Sequence, residues 1–167
     1  MAISLHRFCE WLASTPPSNL IQNVSWIIPL TQTIHIACIA LLIASVAMLD
    51  FRLFGIAGRS DSISSTAQRL LPWIWGVLPV FLATGLILIV AEPSRELENP
   101  TFVIKMLLLL AAMVVTGLLH AALRRDPGFW DASLARTLSA KALAVVSLSL
   151  FVGIVFAGRL IAYTEHP

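Results

Sequence analysis

Residues 102–123 read FVIKMLLLLAAMVVTGLLHAAL, an apolar run broken by one lysine and one histidine and containing no acid. Coiled as a helix at about 1.5 Å per residue it is about 33 Å long, the thickness of a bilayer's hydrocarbon layer plus a little. Three more such runs flank it, over about 26–49, 72–91 and 142–162, with Pro72 suited to the first helical position of its run. The four runs and their loops use nearly all of the chain, so a single domain over residues 1–167 is expected. The fold class that follows is all-α: an integral membrane four-helix bundle.

Composition agrees. Of 167 residues 58% are hydrophobic and only 12% charged, and the mean hydropathy is +0.88. That leaves too little polar surface to cover a soluble globule. The net charge of +2 is small and its cations are scattered without aromatic interleaving, which argues against a nucleic-acid partner. Cys9 and Cys38 have neither a disulfide framework nor zinc-like spacing.

The first residues lack the order of a signal peptide, because Glu10 and the break at Thr15, Pro16 and Pro17 precede any long apolar run. Leu5, Phe8, Trp11 and Leu12 recur at helical spacing opposite His6, Arg7 and Glu10, the pattern of a short N-terminal amphipathic helix on the membrane surface. Residues 62–68 carry a weaker pattern of the same kind. Trp26, Trp73, Trp75 and Tyr163 fall near span ends, where amphipathic rings settle at the headgroups, and Trp130 is expected to dip into the interface from its loop.

Cations set the orientation. Arg52, Arg59 and Arg69 lie between spans one and two, and Arg124, Arg125, Arg136 and Lys141 between spans three and four. Glu92 to Pro100, EPSRELENP, is net acidic. The positive-inside rule places the two basic loops in the cytoplasm and both termini in the periplasm of a bacterial inner membrane.

Ionisable residues inside spans are costly and tend to be functional. Four stand out: His35, Lys105, His120 and Arg159. Counted from the periplasmic end at about 1.5 Å per residue, His35 lies about 13 Å deep, Lys105 and Arg159 about 5 Å, and His120 about 27 Å. Arg95 at the rim of span two joins the outer group. Thr31, Gln32, His35 and Cys38 share one helical face, expected to look into the bundle. A neutral imidazole with cations above it suits a b-type heme, with His35 on the iron and Lys105, Arg159 or Arg95 on the propionates. His35 and His120 are too far apart in depth to share one iron. The plainer reading makes His35 an interior histidine bonded to a neighbouring helix, lets His120 reach the cytoplasmic interface, and has Lys105 and Arg159 snorkel to headgroups. The competing chemistry is copper, from His35 and Cys38 with Met106 and Met113 as soft ligands. No nucleophile with its base, paired carboxylates, zinc motif or phosphate loop is evident, so no enzymatic reaction is assigned. Gly76, Gly85, Gly153 and Gly158 read as packing positions.

The stretches FCEWLASTP (8–16), IHIA (34–37), MLDFRLFG (48–55), RLLPW (69–73) and GRLIAY (158–163) resemble a family of four-span bacterial integral membrane proteins. That resemblance spans nearly the whole chain; it implies the bundle and brings no activity. A histidine early in span one, and a lysine opening span three before a leucine run that ends in histidine, are similar to HemJ-type protoporphyrinogen oxidases and CopD-type copper-resistance proteins. This second resemblance implies a bundle that handles heme, porphyrin or copper, with His35 and Lys105 as the recurrent pair. The expectation is a small redox subunit that binds one heme b and exchanges electrons with quinone or with a periplasmic or membrane partner, alone or as one subunit of an oligomer or larger complex. Copper handling and a non-catalytic scaffold are the alternatives.

Overall fold

The computed structural model describes residues 2–56, 63–126 and 134–161, and every described element is an α-helix. They are α1 (Ala2–Ala13), α2 (Pro16–Asn23), α3 (Ile27–Phe54), α4 (Ile63–Ala91), α5 (Pro93–Leu97), α6 (Pro100–Arg125) and α7 (Leu134–Ile161). Four are long and apolar enough to cross a membrane: Ile27–Arg52, Ser65–Ala91, Pro100–Ala122 and Arg136–Leu160.

The helix limits follow from local chemistry. Gly55 ends α3 in the left-handed conformation, at φ 73°, where a side chain would be strained. Its N–H bonds the Arg52 carbonyl. At the start of α6 the Asn99 side chain accepts the Thr101 N–H at 2.9 Å, and Pro100 takes the first position, where no amide hydrogen is needed.

Three helices run past the limits of their apolar runs. The second starts well before Pro72, because residues 63–71 are continuous with it and Pro72 lies inside α4. There is thus no separate interfacial helix over the described part of 62–68. A proline inside a helix removes only one backbone bond, and flanking turns held by packing tolerate that loss. Leu70 and Leu71 are both buried and hold this turn in place. The fourth helix likewise starts at Leu134 rather than near Ala142. The first runs through Asp50 to Phe54, so an acid expected just beyond the span lies within it.

In the bundle α3 packs along α4 and also against α7, α6 packs along α7, and α4 and α6 meet only sparsely. The core is an apolar column: Cys38, Leu42, Val46 and Leu49 step down α3 at helical spacing and meet Ile74 and Phe81 of α4, Leu109 and Ala112 of α6, and Ala144 and Ile154 of α7. Outward faces stay apolar. Ile36 is 65% exposed, Leu86 62%, Leu107 62% and Phe156 67%, a girdle that hydrocarbon solvates and water does not. Of the packing glycines, Gly85 and Gly153 are in close contact, with His35 and Leu108; Gly76 and Gly158 face open space.

One end of the bundle carries a cap of α1, α2 and α5. α1 turns the fully buried Cys9 inward and leaves Leu5, Phe8 and Trp11 exposed, which suits a helix lying at an interface. Gln22 of α2 donates from its amide to the Ala91 carbonyl at 2.7 Å, closing the end of α4. Burial and the nearby Glu98 push the Cys9 thiol up. His6 is bonded to Glu98 at 2.8 Å and lies 3.3 Å from Glu10. The Glu98 bond first and the Glu10 charge second hold His6 above the usual histidine value. Trp26 is exposed just before α3, and Trp73 is exposed within α4; Trp130 and Tyr163 lie outside the described residues.

A raised pKa means the His6 tether is fully present below about pH 6.5 and is lost as pH rises through the raised folded value. Both partners are exposed, so the effect is small. On warming in detergent, the wild type should lose stability relative to His6→Ala between about pH 5.5 and pH 8.5; equal slopes for the two proteins would dismiss the tether.

Candidate functional site

His35 sits where α3 crosses α4, 8% exposed. Its Nδ1 lies 2.8 Å from the Thr84 hydroxyl oxygen. That hydroxyl also lies within hydrogen-bond reach of the carbonyls of Val80 (2.8 Å) and Phe81 (2.9 Å) on its own helix. With its one hydrogen on either carbonyl, Thr84 accepts from His35, and the imidazole then carries its hydrogen on Nδ1 and its lone pair on Nε2.

Packing fixes the ring as well as its tautomer. Phe81 stacks on it with centroids 4.5 Å apart and planes 22° from parallel. Gly85 brings backbone against the ring edge, so that a Cβ there would stand 3.3 Å from the His35 Cε1. Glycine is what lets α4 approach this closely. An imidazole hydrogen-bonded at one nitrogen, clamped on a face and free in lone pair at the other has the arrangement by which proteins orient a ligating or proton-accepting histidine.

Lys105, half-buried at the start of α6, is close enough for its charge to act on the His35 ring. Its ammonium also stands 5.7 Å from the centre of the Phe102 ring, a cation held against an aromatic face. Of the residues singled out in the sequence, Lys105 is the one whose charge acts on His35. Arg95 is paired with Glu92 at 2.7 Å on the cap, lining an open cleft of about 890 Å³ that also includes Gln22, Ile28 and Asn99 but not His35. Arg159 is exposed near the end of α7.

His120 belongs elsewhere. Its Nδ1 accepts the indole N–H of Trp75 at 2.8 Å, with the ring centroids 5.9 Å apart. Both histidines therefore bond α4, at Thr84 and Trp75, positions separated by about 13 Å along a helix. They cannot ligate one iron. Trp75, expected among the headgroup anchors, is exposed and donates its N–H to His120.

The polar face of α3 is narrower than expected: Thr31, His35 and Cys38 are buried, but Gln32 is exposed. One residue turns a helix by 100°, enough to carry Gln32 past the edge of the α4 contact. Met106 and Met113 are partly buried against the core. Among the described residues no group of three or more His, Cys, Asp or Glu side chains converges as a metal site.

Three participants escaped sequence reading: Thr84, Phe81 and Asp50. The first two are ordinary in span two and acquire a role only once α3 is laid against α4. Asp50 is 2% exposed; Gly55, as a helix stop five residues later, was the signal that α3 continues past it.

Thr84→Val keeps the shape and leaves the buried Nδ1–H without its acceptor, which should cost about 1–3 kcal/mol of stability. Nitrogen-15 spectra of labelled histidine should show the Nδ1–H tautomer in the wild type and its loss in the variant. An Nε2–H tautomer in the wild type would overturn the assignment.

Compared with family models, curated proteins and solved structures, the chain matches none.

Proposed function

We propose that the chain is a small membrane redox subunit holding a b-type heme, with His35 Nε2 as an axial ligand and Lys105 as the partner of a propionate. The observation that carries this reading is the hydrogen-bond chain from His35 through Thr84 to the α4 backbone. It leaves a lone pair on a buried, oriented nitrogen beside a cation, at a place in the membrane where a histidine without a task would be costly.

The residues present fit one axial ligand from this chain. The second would come from a partner chain or stay open, since His120 is held by Trp75, about 13 Å along α4 from Thr84. Arg95 would have to leave Glu92 to reach a propionate. A heme, when bound, supplies a one-electron couple that the side chains lack. The protein's contribution is to orient Nε2, to keep the ring neutral and dry, and to offer Lys105 as a counter-charge. Electrons would then pass to or from quinone or a redox partner. The sparse contact between α4 and α6 favours access from the lipid side.

The orientation belongs to the same proposal. Arg52, Arg69, Arg125, Arg136 and Lys141 cluster at the end opposite the cap, so the positive-inside rule puts the cap in the periplasm of a bacterial inner membrane. Reporter fusions at positions 60 and 130 should behave as cytoplasmic and one at position 97 as periplasmic; the reverse pattern would invert the site's location.

The direct test is a reduced-minus-oxidised absorption spectrum of the purified protein. Expected are a heme band in the wild type and in His120→Ala, and its loss in a folded His35→Ala. A folded, colourless wild type would remove the proposal.

A further inference from the structure

Asp50 is the one buried acid among the described residues, and the redox reading gives it nothing to do. It lies two residues from the end of the first span at Arg52, about 3 Å inside it. One carboxyl oxygen, Oδ2, is buried with no hydrogen-bond partner. The carboxyl is bonded by the Ser147 hydroxyl of α7.

Around it is a void of about 10 Å³ whose polar walls are Asp50, Thr116 of α6 and Ser147, the rest being apolar side chains such as Leu49, Ile74 and Leu119. None of the other lining residues titrates. Along the four packed helices, the charged or titratable groups next in sequence to the lining residues are Arg52 on α3, the exposed Arg69 on α4, His120 on α6 and Lys141 on α7. None of these forms an ion pair with Asp50.

A carboxylate buried in this way without a counter-ion is among the costliest groups a protein can contain. Two species relieve the cost, a bound metal cation or a proton. Hard cations take about six oxygen ligands, and this site offers three side chains around a space no larger than a water molecule needs. A proton requires only the lone pair of Oδ2.

A second void of about 30 Å³, bounded by Leu42, Trp75, Leu109 and Met113, shares Ile74 and Thr116 with the first. It has room for a water and extends the interior space from Asp50 toward the middle of the bundle. From the described geometry we propose that Asp50, with Ser147 and Thr116, is an exchangeable proton-binding site within the membrane, loaded from the Arg52 end of the bundle. It stands independently of any heme, because no residue of the His35 site contributes to it.

Infrared spectroscopy of the purified protein near neutral pH tests this directly. Expected is the carbonyl band of a protonated carboxylic acid that disappears in Asp50→Asn, moves on carbon-13 labelling of aspartate in the wild type, and shifts in heavy water. The isotope label assigns the band without relying on a variant that folds. Absence of an aspartic-acid band would overturn the proposal, since Asp50 would then be ionised. A band that never shifts in heavy water would overturn exchange. Conversion of the band to carboxylate on adding sodium or lithium ions would make this a cation site instead.

Discussion

Hydrocarbon offers no hydrogen bonds, so each polar atom carried into the bundle must find its partner on a facing helix or on its own backbone. In this protein α4 supplies most of those partners. Thr84 takes the His35 proton, Trp75 gives its own to His120, and the end of α4 accepts from Gln22 of the cap. Three otherwise unrelated stretches of chain are registered against one helix by these bonds, and the apolar column of α3 packs the intervals between them.

Thr84 illustrates how much a single hydroxyl decides. Pointed into lipid, it would bond its own backbone and do nothing else. Facing α3, the same backbone bond uses its hydrogen and leaves its oxygen to accept from a histidine on another helix. Gly85 beside it removes the side chain that would hold the ring away. Site and packing are therefore the same contacts: α4 approaches α3 closely because the glycine allows it, and the approach is what orients the imidazole.

The four spans could be read from the sequence because their signal, long apolar runs, is local and large. That His35 and Lys105 lie in the same half of the bundle was legible too, since depth is a matter of counting along a helix. Azimuth was not. Gln32 counted as interior and is exposed, and Thr84 counted as packing and is the partner of His35, because which side of a helix faces inward depends on neighbours that hydropathy does not identify. Helix limits were less legible for a related reason. Asp50 and the residues before Pro72 are poor span residues by composition, and they are helical because Leu49, Leu70 and Leu71 beside them are buried.

His35 and Asp50 lie on one helix about 22 Å apart, and they meet the cost of burial in opposite ways. The imidazole can be neutral at physiological pH and has a complete set of partners for its N–H, so its free lone pair is a resource. The carboxyl has a partner for only one oxygen and no opposing cation, so its neutrality has to come from a proton. Between them run the apolar column and, along its α6 side, the small voids at Ile74 and Thr116. Most of a membrane's thickness of α3 separates the two, and neither small void reaches His35. Each group is therefore set by its own partner on a facing helix, Thr84 of α4 for the imidazole and Ser147 of α7 for the carboxyl.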